Sequence, residues 1–468
     1  MLLRRFTWII LLAGLIVLAG IAALLMTPRL GSVEPSPDST GVAAETPLKI
    51  NFNRPMNAAS VAAHLSIDPP VTGKTAWQGN TLIFTPGSGW PSNGKVTVEL
   101  KPGAVSSLGL RLNQSLRWSF SVRGAQVAYL YPASGAASLY AIDPDGKQPA
   151  KKLSDAQGVL DFSVAPNGAA IYYSIANDSK GSDLYALDLA TGASRRLLAC
   201  PDAACRNPQP SPDGKYLAYE LTALPGHGLP DYVQVWLLPL DGGQPVIPEG
   251  RQDGVVGASG DSTRAPAWSD NGWLAFYDAN RGGYIGLQPA NKNQTPVFFA
   301  NATGDPGVWS PDGSSFVAAE LQGQGPAATL PADRGQTAAY PSHLMLYQRS
   351  TGSRIDLSSG SELEDTDPVF SPDGRRMAFA RRSLDPAHWT PGRQLWLMDA
   401  GGGRAVQISD AALYNHYAFA WSPDSSQLAY LRSNNTAFTQ PPELWVLNVE
   451  SGVMTQLTKG GYAPQWIP

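Results

Sequence analysis

The chain has 468 residues, with 34 Lys and Arg against 38 Asp and Glu, a formal net charge of −4 and only 15% charged residues. Gly (47) and Pro (40) are abundant, and aromatics reach 9% with 13 Trp. That composition excludes a long coiled coil, a disordered chain and, in the absence of any basic run, a nucleic-acid binder, and it leaves a turn-rich globular chain of short strands.

Arg4 and Arg5 precede an uncharged apolar run over residues 6–26. As a helix at 1.5 Å per residue the run spans about 31 Å, matching a hydrocarbon core of about 30 Å. The basic pair ahead of it predicts a cytoplasmic N-terminus and an extracytoplasmic remainder, periplasmic or at the cell surface. We read residues 1–29 as a signal anchor, a single transmembrane helix in the cell membrane. The alternative is a cleaved signal peptide, whose apolar region is typically about 7–15 residues. No Cys follows the run, so lipoprotein anchoring has no support. Without residues 1–29 the chain loses three Arg and carries a net charge of −7. Residues 30–44, rich in Ser, Pro, Gly and Asp, read as a flexible linker.

Residues 45–123 read as a small β-sandwich. Leu48-Lys49-Ile50-Asn51-Phe52 and Lys95-Val96-Thr97-Val98-Glu99-Leu100 alternate apolar and polar, as half-buried strands do. Thr81 to Pro86 and Leu116 to Val122 add further strands, and Val61 to Ile67 is a short apolar stretch. The stretches Ile50 to Met56, Val71-Thr72-Gly73 before Trp77, Thr81 to Pro86 and Trp118-Ser119-Phe120 resemble the bacterial Ig-like domain of surface-associated proteins. That resemblance implies a spacer or adhesive module without chemistry of its own. His64, the lone His here, reads as structural or exposed.

From residue 124 to 468 the sequence repeats itself. Ser211-Pro212-Asp213-Gly214, Ser269-Asp270-Asn271-Gly272, Ser310-Pro311-Asp312-Gly313, Ser371-Pro372-Asp373-Gly374 and Ser422-Pro423-Asp424-Ser425 each follow an apolar stretch, and Ala165-Pro166-Asn167-Gly168 is a degenerate copy. In Ser-Pro-Asp-Gly, Pro fixes φ, Asp can bond its own backbone and Gly takes positive φ. A strand follows, then a second of the type Leu395-Trp396-Leu397-Met398-Asp399, then a Gly-rich turn. Four strands recurring every 40–60 residues or so is the β-propeller pattern. The strand set gives seven blades, with six as the alternative because the stretch from Tyr284 to Phe299 is weakly patterned. The last strand, Ala463 to Ile467, is expected to complete the blade begun at Val127.

The repeats resemble the TolB-like, WD40-like propeller repeat, which also occurs in the propeller domains of prolyl-oligopeptidase-type peptidases. The resemblance implies protein or peptide binding in the cell envelope. It also raises the peptidase reading, for which no Gly-x-Ser-x-Gly nucleophile elbow is present.

The long connections, residues 221–231, 321–342, 382–393, 433–442 and 248–264, are expected on one face of the ring, and the tight turns on the other. Long loops on a rigid scaffold are where binding concentrates. Candidate binding residues on that face are His227, His343, His388, Trp389 and His416, with Glu362, Glu364 and Asp365 in an acidic stretch read as a solvated loop. Trp389 is a contact aromatic or a loop-packing one. His227, His388 and His416 are the candidates for a metal, since His is a common ligand, but no two have ligand spacing, and no metal or other cofactor is assigned. Oligogalacturonate-lyase-type enzymes share this repeat and use such a site, so a metal-dependent polysaccharide lyase is the enzymatic alternative. Cys200 and Cys205 are expected to form a disulfide that pins a loop. The expected function is non-catalytic: a membrane-anchored extracytoplasmic protein whose loop-rich face binds an envelope protein, peptide or glycan. An accessory to an envelope peptidase or transport system is a further alternative.

Overall fold

The computed structural model describes residues 27–44, 46–87, 89–91, 94–226, 232–248, 262–291, 293–322, 341–358, 360 and 362–468. The expected anchor, residues 6–26, lies outside them, and among the described residues no helix is long and apolar enough to cross a membrane. The chain divides into two units, Met1–Gly124 and Ala125–Pro468.

In the first unit, Leu30–Glu34, Leu48–Phe52, Thr81–Pro86 and Gly73–Gln78 form one sheet, and Leu65–Asp68, Lys95–Leu100 and Leu116–Ser121 form another. The alternation of Leu48–Phe52 buries Leu48, Ile50 and Phe52, and that of Lys95–Leu100 buries Val96, Val98 and Leu100. Between them Trp90 meets Phe84 and Phe120 and donates its indole N–H to the Thr46 carbonyl at 2.7 Å. The short helix Ala58–His64 was not expected; the Asn57 side chain caps it by accepting from the Ser60 N–H. Residues 30–44 are not a free linker. Leu30–Glu34 pairs with Leu48–Phe52, Asp38 donates its N–H to the Ser119 carbonyl, and the Trp118 indole donates to the Pro35 carbonyl. An edge strand needs only one ladder partner, so Ser- and Pro-rich composition conceals it.

The second unit is built from consecutive antiparallel strand sets. They are Val159–Val164, Ala170–Ala176, Ser182–Asp188 and Ser194–Leu198; Ala203–Pro210, Tyr216–Ala223 and Val233–Pro239; and Thr263–Trp268, Leu274–Asp278, Gly283–Leu287 and Val297–Ala300. Then come Val308–Trp309, Ser315–Leu321, Ser342–Gln348 and Arg354–Asp356; Leu363–Phe370, Arg376–Ser383, Gln394–Asp399 and Val406–Gln407; and Tyr414–Trp421, Gln427–Asn434, Glu443–Asn448 and Met454–Lys459. The remaining set mixes the two ends of the unit, because Tyr462–Ile467 pairs with Gln126–Tyr131, which carries Ser138–Ile142 and Lys151–Lys152.

The first strand of each set packs on the first strand of the next, and Tyr462–Ile467 packs on Val159–Val164, so these inner strands form a closed ring. Indoles fix their spacing. Trp268 donates to the Gln209 carbonyl, Trp309 to Ala267, Trp421 to Val369 and Trp466 to Ala420, at 2.8–3.2 Å. Gln465 closes the circuit by donating to the Phe162 carbonyl and accepting from the Val164 N–H, both at 2.9 Å. Each Trp thus buries a large apolar ring between neighbouring sets while its one polar atom is satisfied across the same seam.

Candidate functional site

Most inner strands carry the same irregularity about three residues before their end. Asn207, Ala265, Asp367, Ala418 and Ala463 have φ between 52° and 55°, and the ladder register shifts at each of them. An extra residue in one strand of a pair produces such a bulge and re-aims a side chain. In the Val308–Trp309 set the same place is held by Gly304-Asp305-Pro306. Asn301, 1% exposed, accepts from the N–H groups of Thr303 and Gly304, and Tyr284 donates its phenol to the Asp305 carbonyl. Gly304 has φ +72°, and a Cβ there would lie 2.5 Å from the Tyr277 ring, so the turn requires glycine.

These positions gather charge within the ring of inner strands, ahead of the Ser-Pro-Asp-Gly turns. Asp305 and Asp367 are exposed to water. Partial desolvation pushes both carboxyls above the usual range. Arg393 opposes the shift at each, Arg264 opposes it at Asp305, and the Asp305 charge adds to it at Asp367. Among the described residues the Asp367 carboxylate accepts only from Thr366 Oγ1, at 3.0 Å. Arg264 lies over the Tyr277 ring at 4.9 Å and reaches only the Thr303 and Gly304 carbonyls, with no carboxylate in contact among the described residues.

The neighbouring charges are consumed. Asp161 accepts from Ser174 and from Arg206 of the next inner strand, each at 2.5 Å. Glu220 accepts from the Ala265 N–H at 2.7 Å and from Asn207 at 3.3 Å. Sequence reading missed Asp305 and Arg264, and it took Asp367 only as the last residue of the acidic stretch that begins at Glu362. Their signal was present as the X-Pro pairs Asn207-Pro208, Ala265-Pro266, Asp367-Pro368 and Ala463-Pro464 at one place in the repeat, with Asp305-Pro306 one residue earlier in its own copy.

The expected site residues do not converge. His227 lies outside the described residues. His343 sits inside the strand Ser342–Gln348, buried, with Nδ1 2.7 Å from Asp356 Oδ2. His416 is buried in Tyr414–Trp421 beside Tyr430, with Nδ1 2.9 Å from the Arg393 carbonyl. His388 alone is exposed, 2.7 Å from Asp385 Oδ2. No two of these three share a partner, and no group of three or more His, Cys, Asp or Glu among the described residues is placed to hold a metal ion.

The acidic stretch is not a loop, although Glu362 is exposed. Glu364 and Asp365 are buried in Leu363–Phe370, where Glu364 binds Arg382 and Arg393, and Arg381 grips both oxygens of Asp365 at 2.7 Å. Their partners lie on the adjoining strands, so a run that looks solvated in sequence is an internal ion-pair row. Trp389 is half-buried under the Arg382 guanidinium. Cys200 and Cys205 are bonded, and Ser182 donates to the Cys205 carbonyl.

Residues 26–122 match the family model described as a bacterial Ig-like domain. Over 152 residues, 32% of this chain, the sequence is 26% identical to dipeptidyl-peptidase 5 of Porphyromonas gingivalis, and the match spans 20% of that relative. TolB from Acinetobacter baumannii is a structural neighbour at 15% identity and TM-score 0.44, with 94% of this chain and 99% of that one covered. A structure from a study of two prolyl endopeptidases has TM-score 0.50 at 12% identity, covering 86% of this chain and 52% of that one. The likeness is one of fold, a TolB-like β-propeller behind an Ig-like domain.

Proposed function

We propose that the chain is a membrane-anchored extracytoplasmic binding protein, held by residues 6–26, whose seven-bladed propeller receives a protein, peptide or glycan at the charge gathered within its inner-strand ring. The reading rests on one observation. Asp305, Asp367 and Arg264 are water-accessible and have no ion-pair partner in contact among the described residues, whereas Asp161, Glu364 and Asp365 are each tied to arginine. Charge that the fold does not use, held on rigid backbone at a rim of loops, is available to a ligand. The seven inner strands, closed by Tyr462–Ile467, support the blade count. A peptide or protein segment carrying both signs of charge is the favoured partner class, since the rim offers both. The role is non-catalytic.

The test is capture from envelope extract by the full tagged chain in detergent, with Asp305→Ala/Asp367→Ala in parallel. The expected result is a partner retained by the parent and reduced roughly tenfold or more in the variant, the loss of about 1.4 kcal/mol or more, with an unchanged unfolding midpoint. Equal capture by both would overturn the reading. The dipeptidyl-peptidase 5 likeness favours a second one, in which the propeller serves a separate envelope peptidase. Capture of a peptidase that is indifferent to Asp305 and Asp367 would assign the chain to that role.

A further inference from the structure

On the tight-turn side of the propeller, one copy of the turn has a carboxylate in place of proline. In Ser211-Pro212-Asp213-Gly214, Ser310-Pro311-Asp312-Gly313, Ser371-Pro372-Asp373-Gly374 and Ser422-Pro423-Asp424-Ser425, the Asp accepts the Ser hydroxyl at 2.6–2.7 Å. It also accepts the N–H two residues on, at 3.0–3.1 Å. The carboxylate is spent inside the turn. In Ser269-Asp270-Asn271-Gly272, Asn271 does that work, taking the Ser269 hydroxyl at 2.6 Å. Asp270 stands where the other turns hold proline. Its carboxylate has no hydrogen-bond or ion-pair partner among the described residues and is exposed to water, and the protein around it pushes its pKa up by partial desolvation.

Asp270 lines a cleft of about 350 Å³ with Tyr216, Trp268, Gln288 and Pro289. That volume is at the lower end of small-ligand sites, roughly 300–1,000 Å³. The Trp268 indole is fixed by its bond to the Gln209 carbonyl at 2.9 Å. Gln288 spends its amide N–H on the Asn271 carbonyl at 3.2 Å and keeps its oxygen as an acceptor. Asp213, also on the cleft wall, is occupied by Ser211 and Lys215. The unspent charge is therefore negative and stands beside aromatic faces, the Gln288 amide and the Tyr216 hydroxyl, with no unspent cation among the lining residues. A second cleft of the same kind, between the Ser310 and Ser371 turns, is lined by proline at the corresponding positions or by turn-bound Asp, and has no unspent carboxylate.

We propose that the Asp270 cleft binds a guanidinium group, an arginine side chain of a partner, with Asp270 accepting its paired N–H groups and Trp268 or Tyr216 carrying its flat face. Guanidinium fits this set better than ammonium. It is planar, stacks on aromatic rings, pairs with a carboxylate through two parallel hydrogen bonds and is the more weakly hydrated cation. The cleft lies away from Asp305 and Asp367, so its occupancy is independent of the reading of those residues.

The test is calorimetric titration of the full chain in detergent with N-acetylarginine amide, N-acetyllysine amide and methyl glucoside. Saturable binding of the arginine compound, at least roughly tenfold tighter than the lysine compound and lost by a similar factor in Asp270→Asn, is expected. Asp270→Pro, which restores the residue of the sister turns, should abolish binding and leave the unfolding midpoint unchanged. Binding that survives both variants, the absence of saturation, or methyl glucoside as the preferred ligand would overturn the proposal.

Discussion

Protonation of His416 is a cost that folding must meet at low pH, and the structure sets its size. The ring is 1% exposed, with Tyr430 at 5.8 Å between ring centroids and the cross-strand Arg432 nearby. Nδ1 lies 2.9 Å from the Arg393 carbonyl, which assigns the proton to Nδ1, and Nε2 is buried without a partner. Burial, and then the Arg432 charge, lower its pKa to about 4, against partial opposition from its backbone hydrogen bonds. An unfolded histidine titrates near 6.5. Above that pH neither state holds the proton and there is no penalty. As pH falls from about 6.5 towards 4 the unfolded chain takes up a proton that the folded chain refuses, so stability drops by about 1.4 kcal/mol per pH unit, about 3 kcal/mol in all. His416→Asn places an amide donor where Nδ1 stood and removes the titration. Urea unfolding of parent and variant at pH 7.5, 6.5, 5.5 and 4.5 isolates the effect, because every other titrating group is common to both. Loss of ring packing shifts the variant by a constant. The difference should then close or reverse by about 2–3 kcal/mol at pH 4.5. Parallel pH profiles would refute a buried neutral His416.

Glu364→Gln leaves Arg382 and Arg393 without their shared carboxylate at a site where Glu364 is 8% exposed. A loss of about 2–4 kcal/mol in chemical unfolding is expected, and Glu364→Leu combined with Arg382→Leu and Arg393→Met should recover most of it. Replacing Cys200 and Cys205 by Ser opens a loop with a sequence separation of 5. The loop-entropy relation gives about 2 kcal/mol, read as the difference between oxidised parent and variant, with no effect of reductant on the variant. Gly214→Ala and Gly313→Ala both force a Cβ at φ near 65°, a cost of about 1–2 kcal/mol. A Cβ at 313 also lies 2.2 Å from Asn271 Oδ1, whereas one at 214 meets nothing within 4 Å, so the thermal midpoint of Gly313→Ala should fall further.

The strand sets were legible because the repeat carries its own turn chemistry. Each Ser-Pro-Asp-Gly copy marks the end of an inner strand, and the following β-branched and aromatic runs supply the next two strands. Residues 363–365 were not legible as strand. Their apolar–polar alternation is masked by Glu364 and Asp365, whose counter-charges Arg381, Arg382 and Arg393 lie one and two strands away. The same masking hid His343 and His416. A histidine beside a polar residue, Ser342 or Asn415, looks exposed in sequence, yet both are buried on ladder positions opposite Glu320 and Arg432. Leu30–Glu34 escaped notice because an edge strand with one apolar contact row resembles a linker.

A repeat this regular fixes backbone shape and thereby frees certain positions. The bulge at residues 207, 265, 367, 418 and 463 arises at each place with an ordinary residue in the left-handed region, and three of the five are alanine. Alanine gains nothing there over glycine, so the conformation is imposed by the inner-strand ladder rather than by the side chain. Asp367, like Asn207, is a residue type that tolerates the left-handed region, so the backbone admits it; what the fold leaves unused is its exposed carboxylate, which meets no counter-charge in contact among the described residues. The same reasoning applies at Asp270, where the sister turns show that proline completes the structure. A residue that matches the repeat reports on the propeller. One that departs from it answers to something other than the propeller's own packing, and both departures are carboxylates exposed to water.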